Sequence, residues 1–194
     1  MKRPVRVIAV FLVALALFAP ATLLADDDTG EDWKSLKADA KRAKINEMAD
    51  AALDEVMNKN WKAQELFESA YGWAAFDNLK IAFLISGGGG NGVAIEKGSG
   101  KRTYMKMGTA GIGFGLGGQA YQVVFLFQDE KTFFNFVEKG WKADASAQAA
   151  AGDEGANATT GFVNGIAVWQ LTEKGLMASA DISGTKYWKN KKLN

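Results

Sequence analysis

The 194-residue chain has no cysteine, no histidine and only 2 prolines. Without cysteine there is no disulfide, no thiolate nucleophile and no lipoprotein-type acyl anchor, so the fold must be held by its core alone. Without histidine, Ser-His-Asp and Cys-His catalysis are excluded, as are zinc sites of the usual His/Cys type. General acid–base work would fall to carboxylates, lysines or tyrosines, and no pair of carboxylates stands in a context that marks it as catalytic. The expectation is a protein that is not an enzyme, with no cofactor and no metal. A surplus of one charge is also missing, with 23 basic against 22 acidic side chains. Three of the bases, Lys2, Arg3 and Arg6, belong to a leader, so the remainder is slightly acidic and nucleic acid is not an expected partner.

Behind those three bases, residues 7–19 are uncharged and apolar, and Pro20 breaks any helix. A run this short does not reach the roughly 20 residues that span a bilayer, but it suits the apolar centre of a secretory signal peptide. Cleavage is expected after Ala25, where Asp26-Asp27-Asp28 begins. Residues 1–25 are therefore read as a signal peptide, and the mature protein is expected in the periplasm or secreted.

Residues 26–194 read as one domain whose character changes near residue 77. Its helical part covers 29–76. Thr29 with Asp32 resembles a capping box, and Leu36, Ala40, Ala43, Ile45, Met48, Ala49, Ala52, Leu53 and Val56 recur at helical spacing. Asn58 and Asn60 mark a stop, and a second helix is expected from Lys62 to Ala75. The sheet-rich part covers 77–185. Short strands are expected at 81–86, 93–97, 103–109, 110–116, 121–127, 165–171 and 176–182, separated by Gly, Asn, Ser or Lys. Between 110 and 117, glycines alternate with Ala110, Ile112, Phe114 and Leu116, so one strand face is bare and implies close approach of another segment. Asp129 is expected to cap a helix from Glu130 to Lys139 that Gly140 ends. Residues 143–160 read as a loop. The whole predicts an α+β fold: N-terminal helices packed on a curved, mostly antiparallel sheet or partial barrel with one intervening helix.

Gly87-Gly88-Gly89-Gly90-Asn91-Gly92 formally matches a dinucleotide-binding loop. Such a loop must open a helix, whereas Val93-Ala94-Ile95-Glu96 alternates as a strand, so a glycine-rich turn between strands is expected. Asp153-Glu154 lacks the alternating oxygen ligands of a calcium loop. More informative are Lys34, Lys37, Lys41 and Lys44, spaced by three, four and three on one helical stripe. Arg42 extends it, and Trp33, Leu36, Ala40 and Ala43 run parallel about 100° away. A helix built this way suits an anionic membrane surface, although lysines on a solvated face give the same pattern. A basic tail at 186–194 sets Trp188, Lys189, Lys191 and Lys192 together, a composition that suits lipid headgroups or simple solubility.

Taken in order, these landmarks resemble the SYLF domain, the lipid-binding module also found in yeast actin-patch proteins. The resemblance spans roughly Asp50 to Ile182. It runs from Ala75-Phe76-Asp77-Asn78-Leu79-Lys80 through Ile81-Ala82-Phe83, Gly87–Gly92, the alternating Gly111–Gly118, Gln119 and Val123–Phe127. It continues with Glu130-Lys131, Ala143-Asp144-Ala145-Ser146, Ala149-Ala150-Ala151-Gly152 and Lys174-Gly175-Leu176-Met177-Ala178. Asp77-Asn78 replaces the family's proline, and Ala167-Val168-Trp169-Gln170 replaces its Tyr-Ser strand. The resemblance implies binding of acidic phospholipid headgroups, aided by an N-terminal amphipathic helix. For an exported protein this becomes an anionic phospholipid or membrane surface, with Trp33, Lys34, Leu36, Lys37, Lys41, Arg42 and Lys44 as the contact and Trp188, Lys189, Lys191 and Lys192 assisting. The alternative is an envelope protein that binds a protein partner through its sheet.

Overall fold

A computed structural model describes residues 29–83, 85–111, 117–143, 161–172, 175–177 and 184–194. The expected leader, most of the glycine-alternating segment 110–117, Asp153-Glu154 with its loop, and most of the expected strand 176–182 lie outside the described residues. Helix α1 (Thr29–Lys59) leads to α2 (Trp61–Ser69), and strands β1 (Gly72–Phe83), β2 (Ile85–Glu96), β3 (Arg102–Gly111) and β4 (Gly117–Phe127) follow. Helix α3 (Glu130–Phe134) runs into a π-helical turn over Asn135–Lys139. Strands β5 (Trp141–Lys142), β6 (Ile166–Thr172), β7 (Gly175–Met177) and β8 (Thr185–Lys189) complete the described elements. All eight strands join one curled sheet in the order β5-β8-β3-β2-β1-β4-β6-β7, antiparallel throughout. The expected α+β architecture is what the chain adopts.

Because side chains alternate along a strand, each central strand feeds two cores. Trp73, Ala75, Val93, Ile95, Val124, Leu126 and Trp169 meet Ile45, Ala49, Leu53 and Val56 of α1 on one face. Ala74, Phe76, Val123, Phe125, Phe127 and Tyr187 meet Phe133, Phe136 and Val137 on the other. The second core is an aromatic cluster, with the Tyr187 ring 4.8 Å from Phe76 and 5.1 Å from Phe125, both edge-on. Such pairs add about 0.5–1.5 kcal/mol each beyond burial. At the polar end of this core the Thr109 and Thr185 hydroxyls bond each other at 2.9 Å. The Asn78 amide and the Tyr121 and Tyr187 hydroxyls are buried there with no hydrogen-bond partner among the described residues.

Three expectations are corrected. The second helix does not reach Ala75. The Asn60 side chain accepts from the Ala63 amide at 3.0 Å, starting α2 one residue after α1 stops, and α2 ends at Ser69. Residues 72–76 are strand, not helix: alanine favours helix, but alternation of Trp73 and Ala75 against Ala74 and Phe76 between two cores decides the outcome. Gly87–Gly92 is no turn either. It lies inside β2, paired with β1 on one side and β3 on the other. A Cβ at Gly90 would run into the Asp77 carbonyl, and one at Gly92 into the Ala75 carbonyl and the Phe76 ring. These glycines therefore answer to strand packing. Finally, 186–194 is no free tail. Residues 185–189 form β8 beside β3, and Asn194 exchanges two hydrogen bonds with the Tyr104 backbone, at 2.9 and 2.8 Å.

The turn from β2 to β3 is tied to the start of β1. The Ser99 hydroxyl and then the Tyr71 phenol donate to the Glu96 carboxylate, holding it below its usual range. Tyr71 is in turn pushed up to about 12, first by that bond and then by burial. A raised phenol stabilises the fold fully below its unfolded value near 10, and this is lost as pH rises through about 12. The depressed Glu96 contributes above the ordinary carboxylate range, and that contribution is lost as pH falls through its folded value.

Two outcomes are expected. Urea midpoints measured against pH should show Tyr71→Phe losing the wild type's alkaline decline between about 10 and 12. Gly92→Ala should lower stability by about 2–3 kcal/mol in urea unfolding, because the added methyl must displace β1 backbone and a core ring, whereas Gly98→Ala, with open space around it, should cost little.

Candidate functional site

Helix α1 has two apolar faces. The docked face carries Ile45, Ala49, Ala52, Leu53 and Val56, all buried. At 100° per residue, Ala43 points about 160° away from Ile45, and Ala43, Ala40, Leu36 and Trp33 all face solvent. Trp33 is 59% exposed and Leu36 61%, among the largest apolar exposures on the described surface. Docking begins only near Ala38 and Arg42, so the first turns of α1 bury almost nothing.

Lys34, Lys37, Lys41 and Lys44 are exposed too, on a stripe about 100° round the helix from that outward apolar face. The Lys37 ammonium lies 4.6 Å above the Trp33 ring, which holds cation and aromatic together at the tip of the helix. Arg42 behaves differently. Its Nε donates to the Leu193 carbonyl at 2.9 Å, one Nη donates to Asp39 at 2.6 Å, and the guanidinium lies 5.9 Å from the Tyr104 ring. It is a clamp between α1 and residues 190–194. Asn46 and Arg102 continue this seam, Asn46 donating to the Tyr104 hydroxyl at 3.2 Å and Arg102 donating to Asn46 at 3.0 Å.

The clamp brings the turn that carries Lys191 and Lys192, both exposed, beside the middle of α1. Trp188 is 43% exposed. Because its neighbour Tyr187 enters the aromatic core, Trp188 projects on the α1 side of the sheet. Lys189 projects the other way and is paired with Glu138 at 3.0 Å. Sequence reading missed Trp61, which is 71% exposed with the Lys62 ammonium 5.6 Å from its ring. Its position directly after the capping Asn60, ahead of the inward Ala63 and Leu66, was the available signal. A cleft of about 530 Å³ at the far end of α1 is lined by Glu55, Asp77, Asn91, Gln122, Leu171 and Thr172 among others, and by no lysine or arginine, which disfavours an anion.

Residues 108–194 match the family described as Ysc84, Las17-binding protein actin regulator. Over 169 residues the chain is 43% identical to beta cell expansion factor A of Aeromonas veronii, an alignment covering 87% of this chain and 65% of that protein. The chain thus spans just under two thirds of the length of this curated relative.

The separate roles of neighbouring bases are measurable. Arg42→Ala should reduce stability by about 1 kcal/mol in urea unfolding, since it removes a charge-assisted bond that is partly exposed. Lys41→Ala should stay within about 0.5 kcal/mol.

Proposed function

The chain belongs to the SYLF family, and on that premise we propose that it is a binding module, not a catalyst, that docks on anionic phospholipid surfaces at the bacterial envelope. The SYLF family is linked to lipid binding; the contact on this chain is our own assignment. Trp33 and Leu36 enter the headgroup boundary, and Lys34, Lys37, Lys41 and Lys44 lie along it, with Lys191 and Lys192 beside them. The observation that carries this reading is the second apolar face of α1, exposed although a core stands ready on the helix's other side. Burial of a Trp and a Leu contributes roughly 1.5–3 kcal/mol each, and each lysine adds up to about 1 kcal/mol near an anionic surface. No described helix is long and apolar enough to cross a membrane, which fits a helix that lies along an interface.

A second reading is a protein partner on the sheet. In its favour, Gly87 and Gly89 are both exposed on one face of β2, and Gly87 has nothing within 4 Å of where a Cβ would stand. That strip offers exposed backbone without side chains.

Flotation with phosphatidylglycerol or cardiolipin vesicles tests the membrane reading. Wild type should float at low salt and release as salt rises. Trp33→Ala/Leu36→Ala and Lys34→Gln/Lys37→Gln/Lys41→Gln should each weaken binding at least tenfold with unchanged melting temperature. Protein that stays in solution with such vesicles at every ionic strength rejects it and leaves the sheet reading.

A further inference from the structure

The β5–β8 edge carries an unusual juxtaposition. Lys142 and Lys186 are direct partners in the antiparallel register, so their side chains leave the same face about one strand spacing apart. Like charges opposed in this way destabilise a sheet. Lys139 closes the third side of the same cleft, which has a volume of about 380 Å³ and is also lined by Gly140, Trp141 and Trp188. All three lysines are exposed. Among the described residues no carboxylate pairs with any of them, whereas Lys189 nearby is neutralised by Glu138.

The surroundings are fixed. Gly140 has φ +73°, and a Cβ there would stand 2.8 Å from the Tyr187 carbonyl, so glycine lets the turn after the π-helix press against β8. The Trp141 ring is held 5.7 Å from Tyr187 and 5.8 Å from Phe136. A Cβ at Gly108 would meet the Trp188 indole at 3.0 Å, so that glycine lets the ring lie along the sheet. Lys106, opposite Trp188 in the β3–β8 register, adds a fourth cation on the same face. The π-turn that delivers Lys139 is a form concentrated at functional sites.

We propose that this cleft binds the phosphate of an anionic lipid headgroup, with Lys139, Lys142 and Lys186 on the phosphate oxygens and Trp188 against the glycerol and first methylenes. Concentrated cation without a counter-ion calls for an anion, and the exposed indole beside it favours a lipid over free phosphate. The register places Lys142, Lys186 and Trp188 on the face of the sheet that α1 covers, so the assignment rests on the membrane reading above and gives it a headgroup contact.

The test is an amide NMR titration of the folded protein with dihexanoyl phosphatidylglycerol below its micelle concentration, and in parallel with inorganic phosphate. Monomeric lipid offers α1 no surface to lie on, so this titration reports on the cleft and flotation reports on α1, and the two failures are distinguishable. Saturable shifts are expected at the amides of residues 140–142 and 185–188 and at the Trp188 indole. Affinity should fall at least tenfold in Lys142→Gln/Lys186→Gln and stay unchanged in Lys34→Gln/Lys37→Gln/Lys41→Gln. Lys186→Glu, which replaces a like-charge pair by an opposite one and protects the fold, should abolish the shifts too. No saturable shift, equal affinity in the cleft variants, or inorganic phosphate binding as tightly as the lipid would each overturn the proposal.

Discussion

Burial of one sheet on both faces is the constraint from which the rest of the molecule follows. β1 lies at its centre, hydrogen-bonded to β2 and β4 along most of its length, and neither face is left to water where helices cover it. Such a strand must supply apolar groups at every position, as Trp73-Ala74-Ala75-Phe76 does, small residues alternating with large ones. With both faces in use, the helices have fixed duties: α1 and α2 close one core, and α3 with its π-turn closes the other. The edge strand β5 has only 2 residues, which limits the open edge it offers to other sheets.

This arrangement explains which parts of the structure could be read from sequence. The helix from Thr29 to Lys59 and the strands with clean alternation, such as Val123–Phe127, announce themselves by period. Residues 72–76 do not, because a strand buried twice loses its polar alternate positions and its alanines mimic a helix. Two glycines of β2 mislead for a related reason: absent side chains suggest a turn, yet Gly90 and Gly92 mark where β1 and an aromatic ring come too close for a Cβ. Both errors are errors of tertiary context, which no local window contains.

The site shows the same division. The lysine stripe and its neighbouring Trp33 were legible because both lie on one helix, where spacing alone assigns faces. That Arg42 leaves the stripe to clamp Leu193 was not, since its partner lies 151 residues away. The opposition of Lys142 and Lys186 was equally hidden: it depends on the register between strands that are far apart in the chain. Charges gathered by a helix can be counted in advance, and charges gathered by a sheet become visible only with its pairing.

The long reach of that clamp also bears on how the molecule is assembled. β8 is inserted between β5 and β3, and the Arg42, Tyr104 and Asn194 bonds join the first helix and third strand to residues 193 and 194. Contacts so distant in sequence close slowly, because a large loop must be ordered before they form. During synthesis, α1 emerges early but finds its polar seam only when the final stretch is present. Until the strands beneath it have paired, its docking face is as bare as its outward face, and whatever escorts the growing polypeptide meets a helix with two greasy sides instead of one.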